Sequence, residues 1–338
     1  MSRPRIARAA LAGAALALLA AGGLSAQSRP EWREWNRPVE PFRIFGPLYY
    51  VGAADIAAYA IATPAGLILL DGGFPETAPL IEKNLATLGF SIGDVRILLN
   101  SHAHFDHAGG LAELAAKSGA TVVASELDAP QLEAGGKGDF AWGDDATFPP
   151  VHVGRRVKDR ETVTLGGVTL TAQITAGHTR GCTTWTASFE AAGVRRDAVF
   201  VCSVSVPDVV AYRLLDNPRY PGIASDYEAS FRRLRELPCD LFLAAHGAFF
   251  DLAGKTKRRA MGMGMRDPFV DPEGYRAYVD RAEAAFREAL AQSRPSVGAS
   301  PAPAPAPAAG SPPATTSTNS PGSEGRRASS VAISDSRP

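Results

Sequence analysis

Residues 102–107 read His-Ala-His-Phe-Asp-His, and this window decides how the rest of the chain is interpreted. It contains three of the six histidines in the chain, with an aspartate between the second and the third. Imidazole nitrogens and carboxylate oxygens are the ligands that suit zinc and similar divalent ions. A solvated polar loop does not require histidine at this density. The window therefore predicts a metal site.

The spacing inside the window divides its four polar side chains between two positions. His102 and His104 are two residues apart, so on an extended or irregular loop they can converge on one ion, whereas on a helix they would point apart. Asp106 and His107 are adjacent, so their side chains diverge from the first pair and can serve a second ion. The window alone thus offers ligands to two metal ions.

Two further histidines have settings that suit a metal ligand. His178 lies in a glycine-containing turn after a predicted strand, and His246 lies at the end of another. Functional side chains of α/β folds commonly lie on such loops. With the window they supply six ligands, enough for two zinc ions with positions left for water. The sixth histidine, His152, follows two prolines without a ligand-like neighbour, which predicts a surface or packing residue.

Both ends of the chain differ from its middle. Residues 1–26 have a basic start, a short apolar run and small residues up to Ala26, which predicts a cleaved signal peptide and a periplasmic location. Residues 293–338 are rich in Pro, Ala, Ser, Thr and Gly with few large apolar side chains, which predicts a disordered tail. Residues 27–292 remain, a length that suits one large α/β domain.

Apolar periodicity within this middle part predicts alternating strands and helices. Strands are predicted over 66–70, 95–99, 121–124, 182–189, 198–204 and 241–245, with a hairpin over 162–174. Helices are predicted over 78–88, 109–117, 227–237 and 277–291. The candidate metal ligands then all follow strands, on loops.

The charge of the chain argues against a nucleic-acid partner. Its 35 Lys and Arg residues balance its 35 Asp and Glu residues, and no basic block stands out. Nucleic-acid binding is therefore not expected, and neither is membrane attachment after signal cleavage. The predicted partner is a small-molecule substrate, bound by a monomer.

These motifs resemble the metallo-β-lactamase superfamily. The resemblance rests on the window 102–107, on Gly177-His178-Thr179 and on His246, and it extends from about Arg43 to Ala291. It implies an α/β fold in the form of a four-layer αβ/βα sandwich with two similar halves. It also implies two zinc ions per chain, the first held by His102, His104 and His178 and the second by Asp106, His107 and His246.

Ser203 narrows the resemblance. Many hydrolases of the superfamily, such as glyoxalase II and the lactonases, have a metal-bridging aspartate after the corresponding strand. The first two subclasses of class B metallo-β-lactamase have a zinc-binding cysteine there. The third subclass has a serine, together with an Asp, His, His set for the second zinc. The chain is similar to this third subclass, with Ser203 beside Asp106, His107 and His246.

The resemblance implies a zinc-dependent β-lactamase that confers β-lactam resistance. A zinc-bound hydroxide would attack the carbonyl of the β-lactam amide, and Asp106 would be a metal ligand that also orients this hydroxide. The alternative on the same site is a secreted metal-dependent hydrolase of another ester, lactone or thioester. Ser203 in place of a bridging aspartate favours the β-lactamase.

Three residues are expected to bind the substrate. The resemblance implies that Ser203 and Ser205 donate hydrogen bonds to the substrate carboxylate. The alternative is that both are strand-end serines with solvent partners. Tyr212 is expected to be an auxiliary donor near the substrate carbonyl, as a tyrosine often is in that subclass.

Three other side chains each have two interpretations. Asp71 either orients the metal loop from outside the ligand set or forms a turn. Trp142 and Phe148 either line the substrate groove or take part in ordinary packing.

The cysteines follow from the implied fold. It brings Cys182 and Cys202 together at the edges of neighbouring strands, where a periplasmic setting would oxidise them. A Cys182–Cys202 disulfide is therefore predicted, and the alternative is that Cys202 binds zinc. Several members of the subclass pair the cysteine at Cys239 with one in the C-terminal helical region. No such partner occurs in this sequence, so Cys239 is expected to be a buried free thiol.

Overall fold

The computed structural model describes residues 29–210, 212–262 and 266–293. The predicted signal peptide lies outside the described residues, and so does the predicted tail except for Ser293. The chain divides into two units, Met1–Pro295 and Ser296–Pro338. Every described residue belongs to the first unit.

Two β-sheets form the framework of the described residues. The first sheet has its strands in chain order; β1 to β4 are antiparallel neighbours and β4 to β7 are parallel ones. Its strands are β1 (Phe42–Phe45), β2 (Leu48–Tyr50), β3 (Tyr59–Thr63), β4 (Gly66–Leu70), β5 (Val95–Leu99), β6 (Thr121–Ser125) and β7 (Arg155–Val157). The second sheet has strands β8 (Thr162–Leu165), β9 (Val168–Ile174), β10 (Thr183–Ala191), β11 (Val194–Val201) and β12 (Leu241–Ala244). It is antiparallel from β8 to β11, and β12 is parallel to β11.

Eight α-helices belong to the described residues. They are α1 (Pro30–Trp35), α2 (Ala78–Thr87), α3 (Phe105–Ala108), α4 (Leu111–Ser118), α5 (Ala129–Glu133), α6 (Ile223–Glu236), α7 (Leu252–Ala260) and α8 (Pro272–Gln292). Among the described residues, no helix has the length and apolar character needed to cross a membrane.

Strand β4 shows why the sheets stack into layers. Its side chains alternate between the two faces of the sheet. Ile68 and Leu70 are buried in the core between the sheets, which also contains Phe200 of β11. Leu67 and Leu69 are buried on the opposite face with residues of α2 and α4. A strand buried on both faces needs a continuous apolar run. This run is the feature from which β4 was predicted. The four layers of the αβ/βα sandwich follow from this double burial.

The predicted elements recur with small changes in their bounds. β4 and β5 have the predicted bounds, and the predicted hairpin forms β8 and β9 around a Gly166-Gly167 turn in which both residues have positive φ. The helix predicted over 277–291 is longer and begins at Pro272, where the side chain of Asp271 accepts a hydrogen bond from Gly274 N.

The predicted disulfide is present and joins Cys182 to Cys202. Cys182 precedes β10 and Cys202 follows β11, so the bond links these antiparallel neighbours where β10 begins and β11 ends. A disulfide sulfur is not a thiolate ligand, so Cys202 is not available to a metal. Cys239 is free as predicted, but it is only partly buried.

Thiol titration of the unfolded protein is expected to find one reactive cysteine before reduction and all three afterwards. Replacing Cys182 and Cys202 together with alanine should lower the free energy of unfolding by about 3 kcal/mol, because the bond restricts the unfolded chain. Urea denaturation measures this loss, with Cys239→Ala as the control variant. Three reactive thiols before reduction would contradict the disulfide.

Candidate metal centre

The predicted ligands meet at one edge of the two sheets. β5 ends at Leu99, and the loop after it contains His102 and His104, while Asp106 and His107 lie in the short helix α3. His178 follows the end of β9, and His246 follows the end of β12. Because each side chain follows the carboxyl end of a strand, residues distant in sequence are brought to the same edge.

The first cluster consists of His102, His104 and His178. One nitrogen of each ring lies within 4.8 Å of the others. His104 Nδ1 and His178 Nε2 are 3.1 Å apart. Ser101 Oγ lies 3.0 Å from His102 Nδ1, which leaves Nε2 of that ring for the cluster. Burial lowers the pKa of all three rings, for His104 to about 4. Neutral imidazoles have the free lone pairs that a metal requires.

The second cluster consists of Asp106, His107 and His246. Asp106 Oδ2 is 3.5 Å from His107 Nε2 and 3.6 Å from His246 Nε2, and the two nitrogens are 3.2 Å apart. Burial acts to raise the pKa of Asp106, but His107 and His246 outweigh it and the net shift is downward. This carboxylate therefore stays ionised beside the two rings. Its charge and two nitrogens suit a divalent cation.

The two clusters form one continuous centre. His102 of the first cluster also lies within 4.8 Å of Asp106 and His107, counted between their possible ligand atoms. The structure thus brings all six predicted ligand side chains together. Their assignment as ligands stays a prediction, and the nitrogen and oxygen donor set fits zinc.

Asp55 supports the second cluster and was missed by sequence reasoning. Asp55 Oδ2 is 2.8 Å from His246 Nδ1, and its Oδ1 accepts a hydrogen bond from Ala248 N at 2.7 Å. This contact places the ring proton on Nδ1 and leaves Nε2 free. Asp55 and His246 are 191 residues apart in sequence, and the stretch around Asp55 contains no motif that would identify it.

The structure supports the first interpretation of Asp71, in which it orients the metal loop from outside the ligand set. The residue directly follows β4 with a φ of 63°. Its Oδ1 accepts hydrogen bonds from Ser101 N at 2.7 Å and from Asn100 Nδ2 at 3.2 Å, which fixes the start of the metal loop. Burial raises its pKa to about 6. Its Oδ2 is 3.7 Å from His107 Nδ1, too far for a hydrogen bond.

Asp128 is a second supporting carboxylate that sequence reasoning missed. Its Oδ2 accepts hydrogen bonds from Ala103 N at 3.0 Å and Thr179 Oγ1 at 2.6 Å, and its Oδ1 accepts one from Gly181 N at 2.7 Å. Burial raises its pKa to about 6. Gly181 has no room for a side chain, since a Cβ there would lie 2.0 Å from Ser125 Oγ. Asp128 thus joins the loop of His102 and His104 to the turn of His178.

The three predicted substrate-binding residues have different settings. Ser205 is exposed, and its Oγ lies 3.0 Å from that of the buried Ser203. Tyr212 is buried, and its hydroxyl lies 2.7 Å from Gly177 O and 2.6 Å from the hydroxyl of Tyr227. These partners are internal to the protein, and the role of Tyr212 as an auxiliary donor stays a prediction.

Phe148 and Trp142 both pack against other side chains. Phe148 is buried in the core, and Trp142 packs edge-on against Phe105, with ring centroids 6.2 Å apart. Two aromatic rings that were not predicted flank His246, those of Trp35 and Phe249, at centroid distances of 5.5 and 4.9 Å.

His152 takes no part in the centre. Its side chain is 88% exposed, and its Nδ1 lies 3.9 Å from Glu133 Oε1. This position agrees with the predicted surface residue.

Comparison with known proteins places these features in context. A family model described as the metallo-β-lactamase superfamily matches residues 51–246. The native FEZ-1 metallo-β-lactamase from Legionella gormanii has a similar structure, with a TM-score of 0.73 and 40% sequence identity over 76% of this chain and 98% of that chain. BJP-1, a subclass B3 metallo-β-lactamase of Bradyrhizobium japonicum, has a TM-score of 0.71 and 38% identity over 77% of this chain and 97% of its own.

One curated relative has a different name. It is a hydroxyacylglutathione hydrolase of Methylococcus capsulatus, 30% identical over 166 residues, which are 49% of this chain. The chain spans about half of that relative, 52% of its length.

Proposed function

The chain belongs to the metallo-β-lactamase superfamily, and from this premise we propose that it is a zinc-dependent β-lactamase. The superfamily and the His/Asp centre indicate a metal-dependent hydrolase acting on a small molecule. The β-lactam substrate and the number of metal ions are the parts that we propose.

We assign two zinc ions to the two clusters, because each cluster supplies three ligand side chains. A catalytic zinc commonly has three protein ligands and one open position. Bound zinc would supply an acidified water and polarise a carbonyl oxygen. Around it, Asp55 and the carbonyl of Ser205 hold ring protons of His246 and His178, so the opposite nitrogens face the centre. Asp106 is the carboxylate that can both bind metal and orient a nucleophile.

Ser203 is the observation that carries the choice of substrate. It lies two residues beyond the end of β11, buried beside the disulfide. The resemblance places it where glyoxalase II and the lactonases have a bridging aspartate. A serine hydroxyl cannot supply the bridging charge of a carboxylate. The hydroxyls of Ser203 and Ser205, 3.0 Å apart, can instead donate hydrogen bonds to the carboxylate of a β-lactam.

Zinc-loaded protein is expected to hydrolyse nitrocefin and a carbapenem, and EDTA should abolish turnover, because removal of zinc removes the activated water. Added zinc should restore the activity. Spectrophotometric assays of both substrates, with and without the chelator, test this. Absence of turnover for several β-lactams by zinc-loaded protein would refute the proposal.

The second candidate function is hydrolysis of a thioester or of another ester or lactone. The curated hydroxyacylglutathione hydrolase favours it, although the match spans only part of that protein. S-lactoylglutathione assayed on the same zinc-loaded protein distinguishes the two. Turnover of the thioester without turnover of β-lactams would support this second function.

We also propose that the protein is a periplasmic monomer. The N-terminal sequence pattern supports export, and the Cys182–Cys202 disulfide is of the kind that forms in oxidising compartments.

A further inference from the structure

Two buried tyrosines, Tyr212 and Tyr227, lie behind the turn that contains His178. Tyr212 belongs to the segment between β11 and α6, and Tyr227 lies in α6. Both side chains are almost fully buried, and their hydroxyl oxygens are 2.6 Å apart. Neither is among the six predicted ligand residues.

Tyr227 and His178 bind the same carbonyl oxygen. The hydroxyl of Tyr227 donates to Ser205 O at 2.7 Å, and His178 Nδ1 lies 2.9 Å from that oxygen. The carbonyl can only accept, so the His178 proton is on Nδ1 and Nε2 is left for the first cluster. A carbonyl oxygen accepts two such bonds. Tyr227 therefore fixes the oxygen that orients the His178 ring.

Tyr212 contacts the main chain of the same turn. Its hydroxyl oxygen is 2.7 Å from Gly177 O and 3.1 Å from His178 O. The Tyr212 hydroxyl has one proton to donate. Gly177 O and the hydroxyl oxygen of Tyr227 are both within hydrogen-bonding distance of it. Burial raises the pKa of both tyrosines, so both keep their protons at neutral pH.

Packing joins the pair to the helical layer. Gly177 has a φ of +134°, and a Cβ at this position would come within 2.7 Å of Tyr227 Cγ, so the turn lies directly against the tyrosine ring. On α8, Phe286 stacks with the Tyr227 ring at a centroid distance of 5.0 Å. Ser230, one turn further along α6, donates to Ala176 O at 2.7 Å. Helix α6 thus holds the turn in three ways. The Tyr227 ring packs against it, the Tyr227 hydroxyl contacts that of Tyr212, and the Ser230 hydroxyl donates to Ala176 O.

We infer that Tyr212 and Tyr227 are positioning residues that fix both the backbone and the ring orientation of His178, so that His178 Nε2 is aimed at the first metal position. The inference rests on the proposed metal centre, but it does not depend on which substrate the centre hydrolyses.

The test compares Tyr227→Phe and Tyr212→Phe with the wild-type protein by titration of metal-free protein with Co²⁺, whose absorption bands report on each site. Loss of an outer partner typically weakens metal binding about 10-fold to 100-fold. We expect a loss of at least about 10-fold at the first site and unchanged affinity at the second, with altered absorption bands for the first site only. Zinc competition measures the same affinities independently.

Tyr275→Phe is the matched control. Tyr275 is a buried tyrosine of α8 whose hydroxyl donates to Leu234 O at 2.7 Å. Among the described residues, no hydrogen bond connects it to the metal loops. Thermal unfolding of all three variants measures their general loss of stability. Tyr275→Phe should keep the affinities and absorption bands of the wild type, even if its melting temperature falls as far as that of Tyr227→Phe.

Three results would overturn the inference. They are wild-type affinities at both sites in the two variants, an equal loss at both sites, and the same loss in Tyr275→Phe. If Tyr227→Phe does not fold, the inference is judged on Tyr212→Phe alone. That variant removes the contacts with Gly177 O and His178 O and keeps the bond from Tyr227 to Ser205 O. Failure of β-lactam turnover would refute the proposed function without affecting these titrations.

Discussion

Replacing His246 with alanine is expected to remove one of the two proposed zinc ions per chain. β-Lactam turnover should fall at least about 100-fold, because loss of a residue that only supports a ligand already lowers activity by up to about 100-fold. The second cluster would keep only Asp106 and His107, and zinc sites normally need three protein ligands. Asp55 Oδ2, now 2.8 Å from His246 Nδ1, would also lose this contact, and the carboxylate would keep only the bond from Ala248 N to Oδ1. Metal analysis of dialysed protein and nitrocefin kinetics measure the two effects.

His102→Ala should produce the complementary result, because it removes a ligand of the first cluster. It should impair binding at that site while Asp106, His107 and His246 still surround the second. The control is His152→Ala, since that side chain is exposed and is not one of the six predicted ligands. Two tightly bound zinc ions in both His246→Ala and His102→Ala would show that the ligand assignment is wrong.

Asp128→Ala is expected to lower the free energy of unfolding of the metal-free protein by about 3 kcal/mol or more, because each buried donor left without a partner costs about 1–3 kcal/mol. Three donors would lose their acceptor: Ala103 N, Thr179 Oγ1 and Gly181 N. The loops that this carboxylate joins contain all three ligands of the first cluster, so metal affinity at that site should fall as well. Urea denaturation and metal titration measure the two losses.

Asp139→Ala serves as the control for Asp128→Ala. Asp139 is also buried, and its Oδ1 accepts hydrogen bonds from Ala141 N and Trp142 N, neither of which belongs to a metal loop. This variant should lose stability but keep its metal affinity. An Asp128→Ala protein as stable as the wild type, or one that binds metal as tightly, would contradict the role given to Asp128.

The parts of the fold that were predictable have a strong local signal. β4 is buried on both faces, and β5 is buried except at the exposed Arg96 and the half-buried Ile97. Their apolar residues were therefore visible, and their bounds are as predicted. β2 has three residues and β7 has three, too few to show a period, and neither was predicted. Short strands of this kind form because the sheet beside them supplies hydrogen-bond partners, which is information that the local sequence does not contain.

Tyr212 illustrates what the resemblance could not supply about the site. The resemblance supplied a residue type and an approximate place, but the direction of the side chain depends on the packing around it. In the structure its hydroxyl lies between Gly177 O and Tyr227, both of which come from other segments. The direction of this side chain was therefore decided by contacts over 15 and 35 residues of sequence.

The metal-binding character of the centre was predictable from the sequence, because His102, His104, Asp106 and His107 are suitable residue types at close spacing. The sequence also predicted that the chain folds as alternating strands and helices, through apolar periodicity. The contacts that hold the centre in place became visible only in the folded chain. The bonds from Asp55 to His246 and from Asp128 to Gly181 span 191 and 53 residues. Such bonds depend on the distance between atoms in the folded chain, and a lone carboxylate in a sequence does not indicate which distant donor it will meet.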